Sequence, residues 1–509
     1  MWLLLFFVFS NRAYAGDFVD TRLTFTFSDD DVLHGPGETT PTSPGPGFGL
    51  RPGNLFFFDN YNTKFSGQES LAHLVLYKKF PSFFKRLTVE SALVIKYDVI
   101  GSLSGERFND DGSYIKLNVD FREAAEGVRR RGLSLTLFPF DTERFRLGYS
   151  YAISWAGGDI FPRRDGPAPG VRLHLDYDRL YAFVGAKSAV ILNEKINEQQ
   201  IYWGVLGGAG WDILDSLRVE FGAGYFDKGV NPRPAVLGKS VPAGGMSAQV
   251  TYHLGAPIQT SVDFRLYKND PNATDRIFAP QKYDPGMSFV ASSEFSWIWQ
   301  VLEDPVVSGQ TVRQNAFAGD FNLKFRWNHL RVFSDVVYRD LAYILYNVPS
   351  FVPYQDFPRD NPNTPETEKI SVRPEFFFSV GADYHFKGPR LTPGFIVGVQ
   401  WPSTFTAEIT SATTGSVSQP DTSGTRTVVV RKQGDFTVLP KNATATPILA
   451  FKLTLRWDIG EYLALLSEVF YKIDNNSTRL KDDATTGIAT RVFEEPYRLG
   501  FALMFQARY

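Results

Sequence analysis

The stretch "RLHLDYD" sets His174 two residues before Asp176, the kind of pair from which a hydrolytic base is built. Residues at i and i+2 of a strand share a face but stand about 6.5 Å apart. No GxSxG or HExxH pattern supplies a nucleophile or a zinc ligand set beside them. The chain has six histidines, His34, His73, His174, His253, His329 and His385, and no cysteine. The lack of cysteine removes thiol nucleophiles, CxxC redox pairs and Cys-ligated zinc. "SDDDV" (Ser28–Val32) and "FNDDGS" (Phe108–Ser113) carry carboxylates that could take Ca²⁺, but lack the spacing of a calcium loop. The glycines of "GVLGGAGWD" have no helix after them to complete a phosphate site. His174 therefore reads as a hydrogen-bonded wall residue. No catalytic residue, metal or cofactor is assigned, and the chain is not expected to be an enzyme.

A second chemistry is carried by charge. Arg144/Arg146 and Lys324/Arg326 are i,i+2 pairs, which on a strand form cationic ladders along one wall. They belong to segments of strict period two. Phe145, Leu147, Tyr149, Tyr151, Ile153 and Trp155 alternate with Arg144, Arg146, Gly148, Ser150, Ala152 and Ser154. Phe317, Phe321, Leu323, Phe325 and Trp327 alternate with Ala318, Asp320, Asn322, Lys324 and Arg326. Leu217–Tyr225, Phe451–Trp457 and Tyr497–Tyr509 repeat the pattern. Such alternation predicts long strands, each with one apolar and one polar face. Helical periodicity is confined to the short "FREAAEGVRRRG" at Phe121–Gly132.

The formal charge of −2 over 509 residues gives no sign of a nucleic-acid partner. "MWLLLFFVFSNRAYA" has an apolar run and a small-x-small end, so residues 1–15 are expected to be a secretory signal. No later apolar run is long enough for a membrane helix, which needs about 20 residues. A soluble sandwich would turn the apolar parity inward, a membrane barrel outward. Strand length, mid-strand charges and aromatics at the ends of the apolar faces (Trp155, Trp327, Trp457, Tyr225, Tyr509) favour the barrel.

The closing "YRLGFALMFQARY" resembles the C-terminal signature of bacterial outer-membrane β-barrels, with Tyr497, Leu499, Phe501, Leu503, Phe505 and the aromatic terminus Tyr509 on one parity. The resemblance implies an integral outer-membrane, porin-like protein whose last strand is read by the barrel-assembly machinery and pairs with the first. Its expected surroundings are outer-membrane lipid and lipopolysaccharide.

The expected fold is all-β: one transmembrane antiparallel up-and-down barrel over 16–509, of about 18 strands (range roughly 16–20), with periplasmic termini and long extracellular loops. The loops fall at about 30–70, 101–132, 227–243, 269–314, 346–375, 403–444 and 475–495. Tight joints include Asp141–Glu143, Asp178-Arg179 and Asn328-His329. Strict alternation of turns and loops requires Ser113–Phe121 and Gly286–Trp299 to leave the wall, and at least one of their connections is a candidate to fold inward and narrow the pore.

The polar parity is expected to line that pore: Arg144, Arg146, Arg172, His174, Asp176, Arg218, Glu220, Asp263, Arg265, Asp320, Lys324, Arg326, Lys452, Arg456 and Arg498. The basic excess suggests a mild anion preference, unless the arginines pair with carboxylates across strands. TonB-dependent transporters carry a folded plug before strand one. The first strand here, near Thr21–Ser28, leaves no room for it, so passive diffusion of small hydrophilic solutes is expected, by a monomer or a homotrimer. A surface scaffold or adhesin with a loop-blocked lumen is the alternative, and a hydrolase at the barrel rim a more distant one.

Overall fold

A computed structural model describes residues 20–39, 43, 45–48, 56–58, 71–98, 108–110, 113–122, 131–138, 145–156, 169–255, 285–346, 355–356, 370–409, 424–431, 436–460, 462–482 and 489–508. The signal segment, Arg144, Asp263, Arg265 and Tyr509 lie outside the described residues.

Long two-faced strands build the wall. They are β1 (Asp20–Asp29), β2 (Leu71–Phe84), β3 (Leu87–Asp98), β4 (Tyr114–Asp120), β5 (Arg131–Phe138) and β6 (Gly170–Tyr177). Then come β7 (Leu180–Asn193), β8 (Glu198–Leu214), β9 (Leu217–Val230), β10 (Ser240–Leu254), β11 (Met287–Glu303) and β12 (Thr311–Trp327). The last are β13 (Leu330–Arg339), β14 (Glu375–Tyr384), β15 (Leu391–Trp401), β16 (Ile448–Asp458), β17 (Leu463–Ile473) and β18 (Tyr497–Arg508). Each pairs antiparallel with the next, and β18 returns to β1 from Arg22↔Arg508 to Asp29↔Phe501. The ring is closed. The main sheet holds twenty strands, and setting aside the short Gly47–Phe48 and Phe108–Asp110 leaves the eighteen of the wall. Closure removes the free edges that hydrocarbon does not tolerate.

Four hairpins at one end have two-residue turns, at Lys85-Arg86, Asp178-Arg179, Asp215-Ser216 and Asn328-His329. Arg86, Asp178 and Asn328 carry the positive φ that so short a hairpin turn demands, at 71°, 52° and 50°. Both ends of the described ring, Asp20 and Arg508, lie on this side. The longer connections leave from the other end. There a four-stranded sheet (Ile370–Arg373, Ser403–Ile409, Gly424–Val430, Phe436–Val438) and a hairpin (Thr478–Asp482, Ala489–Phe493) rise from the rim.

Two expectations about wall membership are corrected. Ser113–Phe121 and Gly286–Trp299 are wall after all: β4 pairs with β3 and β5, and β11 pairs with β10 and β12 along most of its length. The spans 101–132 and 269–314 are therefore not single loops. Conversely, the described part of the period-two run, Phe145–Trp155, is not a wall strand, and the expected joint at Asp141–Glu143 lies outside the described residues. The wall of eighteen strands agrees with the expected number of about eighteen.

Inside the wall, a recurring pair fixes strand to strand. Phe138/Gly170, Tyr181/Gly210, Phe183/Gly208, Phe333/Gly381 and Phe470/Gly500 are directly opposed across neighbouring strands. In each, the ring fills the space where a glycine side chain would stand. The aromatic covers backbone that glycine leaves bare, a device that pins register.

Candidate functional site

The luminal face changes character along the barrel axis. In its turn-side half it carries charged and polar groups such as His174, Arg218, Glu220, Gln249, Lys324, Arg331, Asp383 and Arg456. In its loop-side half it carries Ala189, Leu206, Phe226, Ala243, Ile298, Ala316, Ala318, Val337, Phe377, Ala450 and Phe470, all buried in one apolar cluster, among buried polar groups such as Lys187, Lys228, Gln300, Arg339, Glu375 and Gln400. Residues this apolar would be unsuitable for a wet wall. They form a seat, and three segments from the loop side occupy it.

The first is Phe145–Ala156. Arg146–Leu147 pairs with Trp155–Ala156 in a small hairpin, and a 3-10 turn at Tyr151–Ile153 closes it. Phe145, Ile153 and Trp155 are fully buried, and Phe145 and Trp155 each meet Phe226 edge-on. Gly148 has φ +101°, and a side chain there would strike the backbone of Ser154, so only glycine makes the bend. The wall yields glycines to admit the hairpin. A Cβ at Gly222 would lie 2.8 Å from Leu147, and one at Gly185 3.4 Å from Phe145.

Polar contacts lock it. Glu294 and Asp320 face each other directly across β11 and β12, a like-charge pairing that costs stability in a bare sheet. Here the Tyr149 N–H donates to Glu294 at 3.0 Å, the Ser150 N–H donates to it as well, and the Ser150 hydroxyl donates to Asp320. The indole of Trp155 donates to Ser247 at 2.8 Å. Arg339 donates to the Ala152 carbonyl at 3.2 Å while ion-pairing with Glu375 at 2.7 Å. Four side chains of the wall, Glu294, Asp320, Ser247 and Arg339, thus hold one inserted hairpin.

The second segment is α1 (Leu341–Tyr346). Its i,i+3 faces are both apolar, for different reasons. Tyr343 and Tyr346 join the luminal cluster, and the Tyr343 hydroxyl donates to the Ile153 carbonyl. Leu341 and Ile344 pack under the rim sheet against Val430, Phe405 and Val428. The third is Phe56–Phe58. Phe56 meets Phe470 at 5.5 Å, Phe57 meets Phe377 at 5.3 Å, and Gly398 makes room for Phe57 and Phe58. Lys452 of the wall lies 5.4 Å from the Phe56 ring.

The outer face is the reverse of the inner. Leu173, Val205, Phe221, Val250, Phe295, Phe321, Phe395, Leu453 and Leu503 are exposed around the ring. Exposed aromatics gather towards both ends, with Trp211, Tyr252, Trp327 and Trp457 towards the turns and Trp203, Tyr225, Tyr338 and Trp401 towards the loops. No helix among the described residues is long and apolar enough to cross a membrane; the apolar belt is carried by strands. A closed ring with an apolar belt, two aromatic girdles and charges within meets the requirements of one setting. The chain is a membrane-spanning β-barrel.

No protein-family model matches the barrel, and no curated protein sequence does. Solved structures similar to it include OccK11 of Pseudomonas aeruginosa (10% identity, 97% of this chain and 95% of that one, TM-score 0.43). The outer-membrane protein opdK of P. aeruginosa is 8% identical over 96% and 98% of the two chains, with a TM-score of 0.44. An anion-selective porin from Comamonas acidovorans is 9% identical over 96% and 98%, with a TM-score of 0.39. Likenesses of this size say nothing about what the barrel carries.

The expected pore residues separate into three groups. Arg172, His174, Asp176, Arg218, Glu220, Asp320, Lys324, Arg326, Lys452, Arg456 and Arg498 stand on the inward parity of the wall. Arg146 does not: it braces the inserted hairpin, donating to the Ser154 hydroxyl at 2.9 Å and the Ser154 carbonyl at 3.0 Å. Arg144, Asp263 and Arg265 fall outside the described residues. Trp155, expected in a lipid-facing girdle, is instead buried inside the barrel against Phe226 and Ser247 of the wall.

Most basic wall residues are matched by carboxylates. Arg218 binds Asp212 directly across the strand pair, and Arg331 binds Asp383 likewise at 2.6 Å. Lys452 pairs with Glu468 at 3.2 Å, Arg456 with Asp458 at 2.6 Å, and Arg498 with Glu494 at 3.9 Å. His174 touches Asp176 at 3.0 Å and stacks on Tyr181. This pair sits in the turn-side half, far from the loop rim. Tyr497, Leu499, Phe501, Leu503 and Phe505 alternate along β18 in the parity that faces outward at Leu503 and Phe505.

Sequence reasoning missed Glu294, Ser247, Arg339, Tyr343 and the Phe56–Phe58 triplet. The readable signal was small residues on an inward parity: Gly148, Ser150, Ala152 and Ser154 are too short to form a wet wall face.

Proposed function

We propose that the barrel is a porin-like channel for passive diffusion of small hydrophilic solutes, throttled on its loop side by the Phe145–Ala156 hairpin, α1 and Phe56–Phe58. The observation that carries this reading is the buried apolar cluster in the loop-side half of the lumen, which the three segments fill, while charged groups line the turn-side half. An eighteen-stranded ring is wide enough for an aqueous passage unless loops fill it. The finer part of the proposal is a mild anion preference. It rests on Arg172, Lys324 and Arg326, which keep part of their surface open on the inward parity, Lys324 most of all. Reading of β18 by the barrel-assembly machinery through Tyr497, Leu499, Phe501, Leu503, Phe505 and Tyr509 belongs to the same proposal. So does a monomeric or trimeric state in lipopolysaccharide-bearing membrane.

Liposome swelling tests the size limit: vesicles holding the barrel should admit glycine or glucose faster than a trisaccharide. Equal exclusion of all three, with no conductance steps, favours a second reading, a surface scaffold with a sealed lumen. The continuous dry cluster from Phe56 to Tyr346 is what recommends that alternative. A reversal potential of cation sign under a salt gradient would reject the anion preference.

A further inference from the structure

We propose that the outer surface of β11 and β12 holds a phosphorylated glycolipid of the outer leaflet, with its phosphate on Arg313. Arg313 is the third residue of β12, on the parity of Asn315 and Phe317, which face away from the lumen. Its neighbours Gln314 and Ala316 face in and are buried, so the direction of Arg313 is fixed by the strand. A guanidinium on the lipid side is unusual and is tolerated only near an interface.

Two observations mark this one as prepared. Its charge lies 4.5 Å from the Trp299 ring centre and 5.2 Å from that of Trp297, so two indoles hold it on the outer face. Trp299 is itself fixed, packed beside Tyr225 at 6.2 Å and filling the space over Gly244. Trp297 donates to Asn315 at 3.3 Å. Among the described residues Arg313 has no carboxylate or hydrogen-bond acceptor, although its five N–H groups form a fork suited to phosphate. It stands at the height of the loop-side aromatic girdle, the outer leaflet if the long loops face outward as in this class. The anionic acceptor available at that depth is a lipid phosphate, with acyl chains free to lie on Trp297 and Phe317.

The inference rests on the outward face being covered by lipid and not on the channel reading; a sealed barrel would bind the same lipid. The test titrates the full folded chain in detergent with diphosphoryl lipid A, and separately with its dephosphorylated form, and counts adducts by native mass spectrometry. One adduct with the diphosphoryl form is expected, reduced at least tenfold by Arg313→Gln and weakened by Trp299→Leu. Millimolar inorganic phosphate should not displace it. Heat-modifiable migration on a gel shows that each variant is folded. An adduct unchanged in Arg313→Gln, equal with dephosphorylated lipid A, or displaced by inorganic phosphate overturns the proposal.

Discussion

Arg146 shows how far a residue type alone carries an inference. It sits in an alternating run and looks like one rung of a cationic ladder, yet its guanidinium is spent on the backbone and hydroxyl of Ser154. Side-chain parity states which face a residue is on, and says nothing of whether its strand belongs to the wall. Gly222 offers the sharpest single-residue test. Gly222→Leu pushes its side chain into Leu147, an overpacking that costs roughly 1–3 kcal/mol. We expect the wall to stay folded, the hairpin to leave its seat, and single-channel conductance to rise. Trp155→Ala should do the same by the opposite route, removing a fully buried ring at a cost of about 3–5 kcal/mol.

Asp474, on the loop that leaves β17, supplies a pH test. Burial raises its carboxyl, but Arg431 at 3.0 Å and Lys472 outweigh burial and hold it down to about 2. A depressed folded value contributes stability that is present above the ordinary value of 3.8 and lost as pH falls through about 2. The contribution is on the order of 2 kcal/mol. Thermal melts should therefore fall between pH 4 and 2 for the natural chain, and Asp474→Asn should flatten that segment of the curve.

At the scale of elements, the strands and their faces were legible and the inserted hairpin was not. Period two in Leu217–Tyr225, Phe451–Trp457 and Tyr497–Arg508 set the parity of β9, β16 and β18, because lipid outside and an enclosed interior impose opposite demands on successive residues. The same period at Phe145–Trp155 has another cause. Its apolar side chains point into a packed lumen, where glycines at 185 and 222 receive them. Strict alternation of turns and loops argues against β11 as a wall strand, yet its inward set of Ser288, Ser292, Glu294 and Ser296 is that of an ordinary wall face. Register has a test of its own. Gly210→Val sets a side chain against the Tyr181 ring, and Tyr181→Ala removes the ring. If the two act as one joint, the double variant should lose less urea stability than the sum of the singles. Strict additivity would mean that the opposed pairs are incidental.

For the whole molecule, closure and filling are separate decisions of the sequence. β1 and β18 close the ring by backbone pairing, which any alternating strands could do. Filling depends on the loop-side halves of many strands turning apolar together, and on Glu294 and Asp320 being left facing each other until the hairpin arrives. That coordination is spread over the chain and leaves no local motif, which explains why strand number was readable and the plug was not. The luminal charges divide likewise: cross-strand carboxylates reduce the basic excess to a few positions, so selectivity should be weak and should follow Lys324. Replacing the plug should alter conductance far more than replacing any one charge.

Planar-bilayer recording of the natural barrel beside one in which residues 145–156 are exchanged for a short Gly-Ser bridge is the most direct measurement. The account predicts low or intermittent conductance in the natural barrel and a several-fold larger, steady step in the bridged one. Indistinguishable steps from the two proteins would contradict it.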